Sequence, residues 1–418
     1  MKNSKKTVFR IISVFLVCLV VVGALMILLP KKGKNPSNGG TQDSSGGTSQ
    51  KVEGSNNGDG MKAMWISYLE YQKMDMSNRE GFIRGITPMF QNCKDLGLNT
   101  VIVHVRPFGD ALYKSKIYPT SHLISGTQGD ELTYDPLKEM IDIAHSMGLR
   151  LEAWINPYRV RGNEKTPSYI CADNPANDQE VILTVDQGIY YNPALEKVRE
   201  MVVAGVEEIV TDYDVDGIHF DDYFYPTTDL SIDRVNYGEY NGNLSQEDWR
   251  RENVNMLVRE VYSKIKQIKP SVIFGISPQG NDDNNYNSQY SDVALWLGEN
   301  GYVDYIMPQL YWGFDYLTKS GSTRFQFKEL SYNWSKYKKA QGVKLYVGLG
   351  AYRIGEGDGG ANDQGEWDSG ENLSKMIEVI KANPQLDGYG LYRYDSLFNS
   401  SHTELQEREV ANIKKANS

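Results

Sequence analysis

From Met61 to the C-terminus, short apolar runs alternate with longer segments that carry a helical pattern of apolar residues. Strands that are separated by helices pair in parallel, because each helix carries the chain back to the same end of the sheet. Eight runs have the length and composition of strands: Ala63–Ser67, Thr100–Val105, Arg150–Ile155, Gly217–Asp221, Val272–Ser277, Val303–Pro308, Lys344–Leu349 and Gly388–Tyr392. Eight strands with eight following helices predict an α/β fold, a (β/α)8 TIM-type barrel with long βα loops over residues 61–418.

Helix boundaries support this alternation. Asp135 precedes Pro136, a pair typical of a helix start, and Gly148 is placed to stop that helix. Asn192-Pro193 predicts the next helix start in the same way. The alternative is a doubly wound open sheet, but no glycine-rich phosphate loop follows the first strand.

The N-terminus begins with a basic segment, residues 1–10, which is followed by an uncharged apolar run at residues 11–29. This run is about as long as a helix that crosses a bilayer. It ends at Pro30-Lys31, without the small-residue cleavage site of a secretory signal peptide. The pattern predicts an uncleaved transmembrane signal anchor with a cytoplasmic N-terminal tail.

The next segment, residues 30–60, is rich in Gly, Ser and Asn and contains almost no apolar residues. Such a composition cannot bury a core, so we expect a flexible linker between the anchor and the barrel. With the N-terminus inside the cell, the barrel is expected outside it. The expected localisation is the cell membrane, crossed once, with the membrane as a partner through the N-terminal helix.

Charge and composition exclude several classes of function. The formal net charge of -10 leaves no basic stripe to neutralise phosphates, so nucleic acid is not an expected partner. The 3 cysteines and 5 histidines are scattered and give neither a disulfide framework nor the spacing of a metal site. We therefore expect no metal and no other cofactor.

The segment DGIHFDDYFYP, residues 216–226, ends a strand in two adjacent acids and then in aromatic residues. Active sites of (β/α)8 barrels lie at the C-terminal ends of the strands. Because side chains alternate along a strand, Phe220 is predicted to face the helices, whereas His219 and Asp221 face the barrel axis. Asp221 then lies at the mouth of the barrel, and Asp222 begins the loop and points away from the axis.

The other strand ends carry similar chemistry. Amide, arginine and carboxyl groups bind hydroxyls, and Tyr and Trp rings stack on sugar faces. The alternation rule points Arg106 and Asn156 inward. The candidates for substrate binding are Arg106, Asn156, Tyr158, Arg159, His219, Gln309, Tyr311, Trp312 and Tyr352. This mixture is typical of a carbohydrate cleft and predicts a polysaccharide substrate.

Glycoside cleavage needs one carboxyl group that protonates the leaving oxygen and another that attacks the sugar or activates water. Asp221 is the first candidate for the nucleophile or base, and Arg106 or His219 beside it would keep it ionised. Asp222 is a second candidate. The fifth strand ends without a carboxylate, so Asp110, in the compact loop after the second strand, is the candidate for the partner acid. The other loop acids on this face are Asp282, Asp315, Glu356 and Asp395.

Six long motifs resemble one bacterial family. They are VRPFGDALYKSKIYPTS, YDPLKEMIDIAHSMGLRLEAWINPYRV, DGIHFDDYFYP, DWRRENVNMLV, FGISPQG and VDYIMPQLYW. From about Met61 to about Asp395 the chain is similar to the glycosyl-hydrolase-like 10 family. The resemblance implies a TIM-type barrel, a glycoside-hydrolase-like cleft and glycans of the bacterial cell envelope as the substrate class.

The resemblance also implies functional roles for the residues that match the motifs of the family. They are Arg106, Asp110, Asn156, Tyr158, Arg159, His219, Asp221, Asp222, Gln309, Tyr311 and Trp312. The family often has histidine where this chain has Glu152, so Glu152 is a weak catalytic candidate. Its predicted depth suits it to balance His104 or Arg106 inside the barrel.

Three functions fit these residues. The first is a membrane-anchored extracytoplasmic glycoside hydrolase that cleaves an envelope polysaccharide, such as the glycan of peptidoglycan, by carboxylate catalysis. The second is a non-catalytic glycan-binding protein with a hydrolase-like cleft, which the missing acid on the fifth strand favours. The third is a metal-dependent polysaccharide deacetylase in which His104, His219 and Asp221 hold the metal.

Overall fold

The computed structural model describes residues 60–162, 166–361, 365–399 and 403–418. The predicted cytoplasmic tail, the predicted anchor at residues 11–29 and all but the last residue of the predicted linker lie outside these ranges. Among the helices of the described ranges, none is long and apolar enough to cross a membrane.

Eight parallel strands close into a barrel, in which each strand pairs with its neighbours in chain order and the last pairs with the first. They are β1 Met61–Ile66, β2 Thr100–Arg106, β3 Arg150–Ile155, β4 Gly217–Phe220, β5 Ile273–Ile276, β6 Tyr305–Ile306, β7 Lys344–Gly350 and β8 Gly388–Tyr392. This closure confirms the predicted (β/α)8 barrel and excludes the open doubly wound sheet.

Each strand is followed by a main helix. They are α1 Arg79–Asp95, α2 Pro136–Ser146, α3 Glu196–Asp212, α4 Gln246–Ile268, α5 Val293–Gly298, α6 Phe327–Ser335, α7 Asn372–Ala382 and α8 Thr403–Asn417. A separate three-stranded antiparallel sheet, Arg159–Arg161, Ile182–Val185 and Gly188–Tyr191, lies in the long connection between β3 and α3.

Of the residues predicted to mark helix ends, one set is confirmed and one is not. Asp135 caps α2 by accepting a hydrogen bond from the backbone N–H of Lys138, at 3.2 Å, and Gly148 follows that helix with a φ of 73°. Asn192-Pro193 does not open a helix, so that prediction is wrong. The Asn192 side chain instead accepts from the backbone N–H of Ala194 in a turn, and α3 begins at Glu196.

Two apolar layers hold the barrel together. The larger layer lies between the strands and the helices and includes Phe220, as the alternation rule predicts. The smaller one fills the barrel interior and includes Trp65, Trp154 and Tyr305. Gly275 leaves room for this interior packing, because a Cβ atom there would lie 1.9 Å from the ring of Tyr305.

Candidate active site

Two adjacent carboxyl groups follow β4 at the mouth of the barrel, and Asp221 and Asp222 are called the acid pair below. Asp221 is only 3% exposed, and one of its oxygens accepts a hydrogen bond from the backbone N–H of Tyr223 at 3.2 Å. Asp222 is half-buried. The end of β4 therefore presents two acids within one enclosed space.

Burial and the charge of Asp222 raise the pKa of Asp221 to about 7, whereas Arg159, the backbone N–H of Tyr223 and the indole of Trp154 lower it. Burial also raises the pKa of Asp222, against the hydrogen bonds of Gln309 and Gln279. Two carboxyl groups this close resist ionising together, because each negative charge disfavours the other. The acid pair therefore favours keeping a proton at pH values at which an isolated aspartate is ionised.

The prediction that Asp222 points away from the barrel axis is wrong. Its Oδ1 accepts a hydrogen bond from Nε2 of Gln309, which follows β6, at 3.1 Å. The strand ends at Phe220, so the alternation of side chains does not extend to the second acid. Both acids therefore belong to the mouth.

Arg159 is the cation that faces the acid pair, since it lowers the pKa of both acids. Its Nε donates to the backbone carbonyl of Pro107 at 2.9 Å. Its guanidinium carbon lies 5.1 Å from the ring centre of Phe108 and 5.4 Å from that of Tyr223. Cation–π contacts with these rings hold the guanidinium at the mouth and leave its positive charge unneutralised.

Arg106 lies elsewhere, which corrects the prediction that it points inward beside Asp221. The pairing of β2 with β3 shifts register between His104 and Arg106. This irregularity adds a residue to the alternation and turns Arg106 to the helix side, where its guanidinium lies 4.4 Å from the ring centre of Tyr118. Arg106 is 1% exposed and donates to the carbonyl of Pro157.

Three buried polar atoms near the acid pair lack a hydrogen-bond partner among the described residues. They are Oδ2 of Asp221, Nε1 of Trp154 and Nδ2 of Asn156. Asn156 uses its other amide atom to bond Nε2 of His104 at 2.8 Å, and the His104 ring stacks on Trp154 at 3.6 Å. Unpartnered buried donors and acceptors are costly unless a ligand satisfies them. Their place near the acid pair makes them candidates for ligand contacts.

His219 points into the barrel as predicted, but it lies in the interior with both ring nitrogens occupied. Its Nδ1 lies 2.7 Å from the Tyr305 hydroxyl, and its Nε2 accepts from the Trp65 indole N–H at 3.2 Å and lies 3.0 Å from Ser277 Oγ. Burial lowers the pKa of His219 to about 3, so the ring is neutral. It supports the strand ends and carries no charge that could keep Asp221 ionised.

Glu152 also lies in the interior, as its predicted depth implies, but its partner is neither His104 nor Arg106. The Tyr305 hydroxyl donates to its Oε2 at 2.5 Å. Burial raises the pKa of Glu152 to about 7. The carboxyl is 1% exposed and belongs to the barrel interior below the mouth.

Asp110, the predicted partner acid, is enclosed in a local network. Its Oδ2 lies 2.8 Å from Nδ1 of His122 and accepts from Nε2 of Gln128 at 2.9 Å. The side chain is fully buried. Among the other loop acids, Asp395 pairs with Lys73 at 2.7 Å.

An aromatic wall stands beside the acid pair. Tyr311 stacks on Tyr392 with ring centres 5.7 Å apart, and Tyr352 meets both rings edge-on. Tyr223 is 47% exposed. Trp312, half-buried, stacks instead on Phe325 at 4.9 Å. These rings provide flat apolar faces of the kind that sugars stack on.

Tyr158, the remaining candidate for substrate binding, lies in the outer apolar layer and is 1% exposed. Two charged groups that act on its pKa, Arg199 and Glu260, come from α3 and α4. The structure thus separates Tyr158 and Arg106 from the mouth, and brings Asn156, Arg159, Gln309 and the tyrosines to it.

No group of three or more His, Cys, Asp or Glu side chains is arranged to hold a metal within the described ranges. In the deacetylase hypothesis, Nε2 of His104 is already bonded to Asn156, and both ring nitrogens of His219 are bonded to protein groups that include Tyr305 and Ser277. The geometry therefore gives this hypothesis no ligand set. Surface cavities around Phe314 and around Lys114 contain neither acid of the pair.

Sequence reasoning missed several residues of the mouth. Tyr223 directly follows the acid pair, and its position after two acids at a strand end was an available indication. Phe108 and Tyr68 contact Arg159 from two different loops, and Gln279 reaches Asp222 from the end of β5. Phe108 and Gln279 stand in quoted motifs, but their contacts and that of Tyr68 form only when the barrel closes.

Comparison with known proteins identifies the family of this chain. The family model described as glycosyl hydrolase-like 10 matches residues 60–368. The chain belongs to the glycosyl hydrolase-like 10 family. Glycosyl hydrolase YngK of Bacillus subtilis is 33% identical, over 77% of this chain and 67% of that protein. Glycosyl hydrolase DigH of Escherichia coli K12 is 35% identical, over 72% of this chain and 73% of that protein.

Solved structures agree on the fold. The glycoside hydrolase domain of PgaB (BpsB) from Bordetella bronchiseptica has a TM-score of 0.55 at 12% identity, over 84% of this chain and 98% of that one. α-L-Fucosidase isoenzyme 2 from Paenibacillus thiaminolyticus has a TM-score of 0.51 at 14% identity, over 84% of this chain and 49% of that one. Membership of the glycosyl hydrolase-like 10 family and the similarity to YngK and DigH, both named as glycosyl hydrolases, support a glycoside hydrolase.

Proposed function

We propose that this protein is an extracytoplasmic glycoside hydrolase that cleaves an envelope polysaccharide, such as the glycan of peptidoglycan, with the acid pair as its catalytic carboxyl groups. One observation carries the proposal. Asp221 and Asp222 share a partly enclosed mouth with unpartnered buried polar atoms of Trp154 and Asn156. A sugar bound there would supply the missing hydrogen bonds and meet both carboxyl groups.

The chemistry follows from the unequal environments of the two acids. A carboxyl group that keeps its proton near neutral pH can protonate the glycosidic oxygen, and a neighbouring carboxylate can attack the sugar or activate water. Arg159 stabilises the negative charge of the carboxylate that forms when the proton is donated. The wall of Tyr311, Tyr352 and Tyr392 would stack on the sugar rings.

The test uses the full chain and purified envelope glycans, with new reducing ends measured by mass spectrometry. Wild type is expected to release products, and Asp221→Asn is expected to lose at least a thousandfold in rate, since a carboxyl that takes part in bond cleavage cannot be replaced by an amide. Asp142→Asn, on the exposed face of α2, is the matched control and should retain full activity. Equal product release by Asp221→Asn and wild type would refute the proposal.

The second candidate is a glycan-binding protein without turnover. The end of β5 favours this candidate, because it carries Ser277 and no carboxyl group. The Ser277 hydroxyl bonds to His219 and to the backbone carbonyl of Phe220. Under this reading, wild type and Asp221→Asn bind the glycans equally in pull-down experiments, and neither releases products.

The anchoring of the enzyme is also part of the proposal. The uncharged run at residues 11–29 and the polar linker after it support a barrel held outside the cell at the membrane. Protease added to intact cells should then degrade a C-terminal tag on the chain. A tag that stays protected until the cells are lysed would contradict this orientation.

A further inference from the structure

The side-chain amide of Gln309 has only one usable orientation. Its Nε2 donates to Oδ1 of Asp222 at 3.1 Å and to the backbone carbonyl of Ser277 at 2.9 Å. A reversed amide would place its oxygen against the carbonyl of Ser277, which has no hydrogen to donate. Gln309 therefore always presents an N–H to Asp222.

The amide of Gln279 is oriented in the same sense. Its Oε1 accepts from Nδ2 of Asn284 at 3.2 Å, which leaves Nε2 to donate. The side chain of buried Asn285 fixes the Gln279 backbone on both sides, by accepting from its N–H at 2.9 Å and donating to its carbonyl at 2.8 Å. The Gln279 amide lies near the carboxyl of Asp222 and lowers the pKa of that carboxyl, which favours the charged form.

A third glutamine fixes the backbone at the same point. The Gln289 amide is satisfied when its Nε2 donates to the backbone carbonyl of Asp222 at 3.1 Å and its Oε1 accepts from Nε2 of Gln279 at 3.1 Å. Asp222 is thus held by amides at its carboxyl group and at its backbone. Asp221 has no amide partner: one of its oxygens accepts a hydrogen bond from the N–H of Tyr223, and the other faces the indole of Trp154 without a hydrogen bond among the described residues.

We propose that Gln279 and Gln309, called the amide pair here, are positioning residues that hold Asp222 as the carboxylate of the acid pair, so that Asp221 carries the proton. This assignment rests on the proposed hydrolase function and gives each acid a role. Asp222 is the nucleophile or base, and Asp221 is the proton donor. It gives Asp221 the role of proton donor, whereas the sequence predicts Asp221 as the nucleophile or base and Asp110 as the partner acid.

Other charged or titratable groups also face Asp222. They are Asp221 on the same segment, Arg159 from the small sheet, Tyr223 from the loop after β4 and Tyr311 from the loop after β6. Asp221 opposes the ionisation of Asp222, and Arg159 favours it. These four residues stay unchanged when an amide is replaced, so a change in titration reports the amide alone.

The experiment replaces each amide by a side chain of similar shape that has no N–H, in Gln309→Met and Gln279→Met of the full chain. We expect the acidic limb of the kcat/KM profile to move to higher pH by about one unit in each variant, because a hydrogen bond to the carboxylate is lost. Gln91→Met is the matched control, since Gln91 donates to Asp95 at 2.8 Å on the exposed face of α1. Its profile should coincide with that of wild type.

A second readout is independent of turnover. Carbon NMR of aspartate labelled at the carboxyl group follows the ionisation of Asp222 directly, with its resonance assigned by its loss in Asp222→Asn. Asp222 should ionise at lower pH than Asp221 in wild type, and at a higher pH in Gln309→Met than in wild type. Unchanged titration in folded Gln309→Met and Gln279→Met, or ionisation of Asp221 before Asp222, would overturn the assignment.

The two readouts separate this inference from the proposed function. If wild type cleaves no glycan while the titrations shift as expected, the amide pair holds Asp222 and the hydrolase proposal fails. If wild type cleaves glycans and both titrations stay unchanged, the hydrolase stands and the assignment of roles fails. A loss of activity without any displacement of the pH profile would assign the amides a structural role and would also overturn the inference.

Discussion

We expect the buried carboxyl of Glu152 to make the free energy of unfolding depend on pH. Burial raises its pKa from 4.5 to about 7. The folded state therefore favours the protonated carboxyl, and this contribution to stability is fully present below about pH 4.5, declines as the pH rises, and is lost above about pH 7. The difference corresponds to roughly 3 kcal/mol, because one pKa unit is worth about 1.4 kcal/mol.

Glu152→Gln removes this dependence and keeps the acceptor for the Tyr305 hydroxyl. The free energy of unfolding of the variant, minus that of wild type, should increase by roughly 3 kcal/mol between pH 4.5 and pH 8. Urea unfolding followed by circular dichroism measures it at each pH. Burial raises the pKa of Glu409 to about 7 as well, but that residue is common to both proteins and cancels in the difference.

Glu131→Gln is the control, because it removes one negative charge at an exposed position. Parallel stability curves for Glu152→Gln and wild type across this pH range would show that Glu152 is ionised in the folded protein. That result would refute the reasoning that burial governs its titration.

Two further changes test the mouth and its supporting loop. Tyr223→Ala should raise KM several-fold and change kcat less, because Tyr223 is 47% exposed beside the acid pair, while Tyr332→Ala, 56% exposed on α6, should leave steady-state kinetics unchanged. Arg250→Met should lower the free energy of unfolding by about 3–5 kcal/mol in urea titrations, because it leaves the fully buried partner Asp233 unpaired at the former 2.6 Å contact. Arg250→Met with Asp233→Leu should recover much of the loss, and an equal loss in both would contradict this account.

The sequence predicts the barrel well because its strands obey two simple periodicities. Runs such as Arg150–Ile155 and Gly388–Tyr392 match the observed strands residue for residue. The alternation rule also places Phe220 outside and His219 inside, because nothing interrupts β4. Strand identity and side-chain direction are local properties, so a local pattern is enough to predict them.

The rule fails where the backbone leaves the regular strand. Arg106 follows an irregularity in β2 that has no mark in composition, and Asp222 lies two residues beyond the end of β4. The contacts of Gln279 and Gln309 with Asp222 depend on the register of three different strand ends. Such contacts follow from closure of the barrel and cannot be inferred from the spacing of residues along the chain.

The small sheet beside the barrel has a consequence for how this enzyme can change. Arg159 starts one strand of that sheet, Arg159–Arg161, which pairs with Gly188–Tyr191 and not with any strand of the barrel. The positive charge that balances the two acids is therefore carried by an appendage, while the acids themselves are carried by the barrel. Insertions or exchanges in the connection between β3 and α3 could retune the acidity of the site and leave the barrel intact. The fold thus keeps the two acids and the cation that adjusts their acidity on separate parts of the chain.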